Sequence, residues 1–140
     1  MIRIIAFDYN EKTLFEQAAN IRRKVFVEEQ GVDPMLEYDN EEKANHYLVL
    51  YNEIPVGAAR WRETDKGIQL ERFAVLPEFR NRGIGTALLK EVLADVVPMV
   101  KKVYLHAQVR AMPFYERYGF VKEGASFIEA GIKHFAMYLP

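Results

Sequence analysis

Arg80-Asn81-Arg82-Gly83-Ile84-Gly85 is the stretch on which the fold turns. It follows an apolar run, Leu70 to Leu76, that closes at Pro77. It precedes Thr86 to Val97, whose apolar residues recur at helical spacing. The order is strand, glycine-rich turn, helix. N–H groups at a helix start lack intrahelical partners, and the helix dipole adds partial positive charge there. Glycines let a large anion come close to the main chain. The two arginines bring charge. The segment therefore predicts a cradle for a pyrophosphate. A GxG pattern alone also fits a tight strand-to-helix connection with arginines for solubility. No Lys-Ser/Thr follows the second glycine, which argues against a Walker-type site with its metal. A dinucleotide fold would carry its GxGxxG early, opening a parallel sheet.

Working outward, Ile2 to Phe7 reads as a strand. Thr13 is placed to cap a helix with apolar positions Leu14, Phe15, Ala18, Ala19, Ile21, Val25 and Phe26. Glu28 to Lys43 is acidic and irregular, and long enough to be a substrate-side loop. His46 to Tyr51, Pro55 to Glu63 and Ile68 to Leu76 read as a meander with turns at Asn52-Glu53 and Asp65-Lys66-Gly67. The helix after the glycines ends near Pro98. Val103 to Ala107 is a strand, Pro113 to Tyr118 a short helix with Gly119 as its cap, and Phe120-Val121 and Lys133 to Leu139 complete the sheet. A meander followed by strand–helix–strand units predicts a mixed sheet with helices on its faces.

The 140 residues fit one domain spanning 1–140. Net charge is −1, so no global basic field gathers nucleic acid or an anionic membrane. No apolar stretch approaches the roughly 20 residues that span a bilayer. There are no cysteines, which excludes thiolate chemistry and suits a reducing compartment. The short N-terminal apolar run does not read as a signal peptide. A cytoplasmic protein is expected.

Arg80-x-x-Gly83-x-Gly85 resembles the signature of the GNAT family of N-acetyltransferases, and Glu71 to Arg80 resembles that family's preceding strand. Gln108-x-x-Ala111-x-x-Phe114-Tyr115-x-x-x-Gly119-Phe120 resembles a second family segment, with Gln108 replacing the usual Asn. Val25-Phe26-Val27-x-Glu29-Gln30, Glu37-x-Asp39, His46, Leu105 to Gln108 and Glu129-x-Gly131-Ile132-x-His134 resemble its ElaA/YjcF-like branch. The resemblance implies an α/β fold (α+β in some schemes), a mixed, mostly antiparallel central sheet of about six to seven strands with about four helices. It implies acetyl-CoA as co-substrate and a primary amine as acceptor. The main chain of Phe73, Ala74 and Val75 would pair with the pantetheine arm, and Arg80, Asn81, Arg82, Gly83, Ile84, Gly85 and Thr86 would hold the pyrophosphate. Gln108, Ala111 and Phe114 belong to the same implied binding surface. Val75 N–H, or a neighbour, would polarise the thioester carbonyl. The family often dimerises through its C-terminal strands, so a homodimer fits.

Tyr115 is the side chain expected to protonate the departing thiolate, against its alternative as a core tyrosine. Glu71 reads either as the base for the acceptor or as a strand carboxylate paired with Arg60, Arg62 or Arg72. His46, His106 and His134 read as strand residues with satisfied hydrogen bonds rather than as catalysts. They lack paired ligand spacing, so no metal is expected. Glu28, Glu29, Glu37, Asp39, Glu41 and Glu42 read as a solvated loop, or as a field that attracts a cationic amine. Trp61 lines the acceptor pocket or simply packs. A module that binds CoA without chemistry is the competing function.

Overall fold

The computed structural model describes residues 1–140. The chain runs β1 (Ile2–Phe7), α1 (Lys12–Arg22), α2 (Pro34–Glu37), β2 (Asn45–Tyr51), β3 (Ile54–Thr64), β4 (Gly67–Val75), α3 (Ile84–Val96), β5 (Val103–Gln108), α4 (Met112–Arg117), β6 (Val121–Glu129) and β7 (Ile132–Tyr138). One seven-stranded sheet has the order β1-β2-β3-β4-β5-β7-β6. Every neighbouring pair is antiparallel except β4–β5, where α3 makes the crossover. This is the mostly antiparallel, four-helix architecture expected from the sequence.

The strands arise from alternating apolar runs and specific turns. Asn52 and Glu53 both take positive φ, 49° and 67°, which gives the two-residue turn that matches strand twist. The helices cover opposite faces. Ile84, Leu88, Leu89, Val92 and Val96 recur along one side of α3 and pack on Tyr47, Val56, Ile68, Leu70, Val103 and Leu105. Ala18, Ile21 and Val25 on the α1 side pack on Phe7, Leu48, Leu50, Ala58 and Ala74. No helix is long and apolar enough to cross a membrane.

Two local expectations change. Thr13 does not cap α1. The turn before it is closed by Asp8 and Glu11, with Glu11 Oε2 accepting from Asp8 N at 3.0 Å and Asp8 Oδ1 from Asn10 N at 2.9 Å. Thr13 falls inside the first turn. The acidic stretch is also more ordered than its composition predicts. α1 runs on as a π-helical segment, Arg23–Glu29. α2 is capped by Asp33, whose Oδ1 accepts from Met35 N at 2.9 Å. A short 3₁₀ turn follows at Glu41–Lys43.

Candidate active site

The sheet forks. β4 pairs with β5 only from Ile68 to Leu70, opposite Val103 to Leu105. Beyond that point β5 follows β7, and β4 follows β3 alone. β4 also bulges: Arg60 faces Glu71 and Ala58 faces Ala74, so two steps of β3 match three of β4. Arg72 absorbs the extra residue at φ +58°. A cleft of about 1010 Å³ fills the fork, and Phe73, Ala74, Val75, Ala111, Phe114 and Tyr115 are among its walls. Leu76 N–H donates to Val56 O at 2.9 Å, so the ladder's alternation turns the Val75 N–H toward the cleft.

At one end of the cleft lies the glycine turn. Gly83 precedes α3 at φ +77°, a left-handed conformation costly for other residues. No side chain caps α3, so its first N–H groups stay available. A Cβ on Gly85 would sit 3.7 Å from the Phe114 ring, so a side chain longer than a methyl would extend into the space beside that ring. Asn81 and Thr86 line the cleft, and Thr86 Oγ1 lies 2.8 Å from Tyr118 Oη. The Ile84 side chain is buried in the core, so only its main chain is presented at the turn. Arg80 donates to both Glu29 oxygens at 2.7 Å and to Val75 O at 3.0 Å, tying the turn to the π-helical segment. Arg82 behaves differently from its neighbours. Its guanidinium lies over Phe79 and Tyr51, 5.5 and 5.6 Å from the ring centres, and does not line the cleft.

Tyr115 stands at the centre of the fork. Its ring packs edge-on against Phe73, Phe114 and Phe120. Its hydroxyl has no protein hydrogen-bond partner. Burial pushes its pKa up, so the phenol keeps its proton. Gln108 donates to Gln30 Oε1 at 2.8 Å and accepts from Arg110 Nε at 3.1 Å, linking β5 to the segment after α1.

The other end of the cleft is charged. Glu71 is largely buried, 2.8 Å from Arg62 Nε and 3.2 Å from Arg60 Nε. The latter contact is an ion pair without hydrogen-bond geometry, since Arg60 Nε has no hydrogen-bond partner. Glu41 accepts from Arg22 and Arg60, and Glu37 from Arg22 at 2.6 Å. Asp39 accepts from Arg60 and Arg72. The acidic stretch is thus not merely a solvated loop. Glu37 and Glu41 are buried because arginines from α1, β3 and β4 converge on them. Trp61 packs, donating its Nε1–H to Tyr47 Oη at 2.9 Å, and does not line the cleft. His46 is buried with Nε2 2.9 Å from Glu41 O. His106 and His134 do reach the cleft, together with Glu129. No group of His, Cys, Asp or Glu is arranged to hold a metal ion.

The sequence matches the description "Acetyltransferase (GNAT) domain" over residues 6–139. The chain belongs to the GNAT acetyltransferase family. It is 38% identical over 131 residues to the uncharacterized N-acetyltransferase YjcF of Bacillus subtilis, covering 91% of this chain and 93% of that one. Its fold superposes on Escherichia coli ElaA with a TM-score of 0.88 and 25% identity, over all of both chains. A GNAT family acetyltransferase from Elizabethkingia anophelis with acetyl-CoA bound shares the fold at a TM-score of 0.66 and 20% identity, over 98% of this chain and 94% of that one. The chain is thus an acyltransferase by family. Glu29 and His106 lie in segments that carry the family resemblance, yet neither they nor Arg110 could be given a role from sequence alone. Tertiary pairing brings Glu29 to Arg80 and His106 to Glu129, while Arg110 meets its near neighbour in sequence, Gln108.

Proposed function

We propose that this acyltransferase moves an acetyl group from acetyl-CoA directly to a primary amine. The observation that carries this reading is the fork. A strand edge without a partner lies beside an uncapped helix N-terminus, across from a phenol with a free hydroxyl. The donor set fits acetyl-CoA. Open amides at Gly83 to Thr86 suit a diphosphate, and the free edge of Phe73, Ala74 and Val75 suits a pantetheine amide pattern. When bound, acetyl-CoA supplies the activated thioester.

The chain's own groups then divide the work. Val75 N–H is placed to stabilise negative charge on the thioester oxygen in the transition state. Tyr115 holds the proton that the departing thiolate needs. The absence of cysteine, and of any Ser-His elbow, supports attack without an acyl-enzyme. Alignment of the two reactants in one cleft supplies much of the acceleration. Glu71 lies at the fork where a base is expected, with its oxygens already engaged by Arg62 and Arg60. All these parts come from one sheet and its helices, which supports reading residues 1–140 as a single catalytic domain.

The test is a panel of primary amines with acetyl-CoA, following free thiol release, alongside thermal shift. Transfer to an amine and a raised Tm with acetyl-CoA are expected. A flat melting curve at millimolar acetyl-CoA would overturn the reading.

A further inference from the structure

His106 occupies a special place in β5. Leu105, one residue earlier, still pairs with Leu70 across the seam. His106 pairs only with Ala136 of β7, so it is the first residue past the fork. Leu105 and Ala107 face the core, and strand alternation puts His106 on the other face, in the cleft. Its Nδ1 lies 3.0 Å from Glu129 Oε1. A carboxylate can only accept, so Nδ1 carries the hydrogen and the neutral ring presents a lone pair at Nε2. Nε2 has no protein partner, and the side chain is 27% exposed. Phe127 braces the ring edge-on at 4.9 Å.

The neighbouring charges are accounted for on every side. Tyr104 stands beside it on β5, and Gln69 accepts from the Tyr104 hydroxyl. From β4, Glu71 is held by Arg62 and Arg60, and Arg72 by Asp39 and the Glu37 carbonyl. From the segment around α2, Glu37 and Asp39 are paired with Arg22 and Arg60. From β7, His134 uses Nδ1 on Ile132 O and stands 3.9 Å from Glu129. His134 also keeps an Nε2 lone pair, but a backbone carbonyl orients it and its side chain is buried; His106 is the more exposed of the two and has a carboxylate behind it.

We propose that His106 is the catalytic base that deprotonates the acceptor ammonium, and that Glu129 is its positioning residue. This rests on the proposed acetyl transfer. The balance is simple. Nε2 takes one proton from the ammonium, giving an imidazolium held by Glu129. The freed amine lone pair forms the N–C bond, and the C–S bond breaks. The thiolate takes the Tyr115 proton, the second amine proton restores the phenol, and the imidazolium returns its proton to water.

The experiment compares wild type with His106→Asn, Glu129→Gln, Glu129→Asp and Glu71→Gln, using an amine from the panel. His106→Asn is expected to lower kcat/KM about 10²–10³-fold and to leave the acetyl-CoA Kd unchanged. It should also remove the acidic limb of the kcat/KM profile. With hydroxylamine, already unprotonated at neutral pH, the loss should shrink to about ten-fold or less. Glu129→Gln, at a half-exposed position, should shift that limb, and Glu129→Asp should restore part of it. Nitrogen NMR of wild type should show neutral His106 as the Nδ1–H tautomer.

Full activity in His106→Asn, or an acidic limb lost only in Glu71→Gln, would overturn the proposal. So would the Nε2–H tautomer in wild type. Wild type that binds acetyl-CoA but acetylates no amine would overturn the acetyl-transfer reading and this proposal together. A functioning wild type with an indifferent His106→Asn would overturn only the proposal.

Discussion

Glu41→Gln probes the buried charges behind the cleft. Glu41 accepts from Arg22 Nη1 at 2.9 Å, Arg22 Nη2 at 2.8 Å and Arg60 Nη1 at 2.8 Å. The two arginine side chains are 2% and 1% exposed, so water cannot replace the lost partner. A glutamine keeps the shape and one acceptor oxygen, and it turns an amide donor toward guanidinium donors. Each arginine retains another carboxylate, Glu37 for Arg22 and Asp39 for Arg60. Breaking a buried pair of this kind costs about 3–5 kcal/mol. That is a large share of the roughly 5–15 kcal/mol that holds a domain together. At this chain length it corresponds to a Tm lower by about 10–20 °C.

The network also pins Glu37 and Asp39 against β3 and β4, where they form one wall of the cleft. The variant should therefore raise KM for the amine more than the Kd for acetyl-CoA. Urea unfolding gives the stability, and initial rates in the folded range give the split. A loss below about 1 kcal/mol, within the range of exposed pairs, would show that the network contributes little. An equal weakening of both ligands would refute its placement on the acceptor side.

Tyr115→Phe should lower kcat about 10²–10³-fold with little change in acetyl-CoA affinity, measured by initial rates and calorimetry. Gly85→Val should weaken acetyl-CoA binding at least about ten-fold, because the new side chain enters the space beside Phe114. Stability should fall as pH drops below about 6.5. Burial lowers the His46 pKa in the folded chain, more than its bond to the Glu41 carbonyl raises it. The unfolded chain then binds the extra proton first, so stability present above 6.5 is lost on acidification. Glu41 adds to the loss at lower pH. Burial pushes its carboxyl up, but Arg22 and then Arg60 more than reverse this and hold it below the usual carboxylate range. Urea midpoints from pH 8 to 5 check the first part, and His46→Gln should flatten the slope just below 6.5.

The strand–glycine turn–helix order, the meander and the two-residue turn at Asn52-Glu53 were legible because each is a local pattern. The family resemblance implied that Tyr115 and the glycine turn share one site, and both line the cleft. The role of the acidic stretch was not legible. Its charges look solvated by composition, and their partners Arg22, Arg60 and Arg72 come from three separate elements. Arg82 shows the converse. A turn arginine beside a glycine turn reads as a ligand contact, and here its guanidinium rests over two aromatic rings, Phe79 and Tyr51. The Thr13 cap failed for a similar reason, since Asp8 and Glu11 close the turn one step earlier. The dyad of His106 and Glu129 depends on a strand register that no short-range pattern encodes.

The three-rung seam between β4 and β5 divides the molecule into two leaves. In the proposed reaction one leaf, β4 with the start of α3, would grip the donor. The other carries Tyr115, His106 and Glu129. Reactivity in such a design belongs to the spacing of the leaves as much as to any side chain. A substitution at Ile68, Leu70, Val103 or Leu105 that slid the leaves by a fraction of an ångström would misalign the reacting partners while leaving each of them chemically intact.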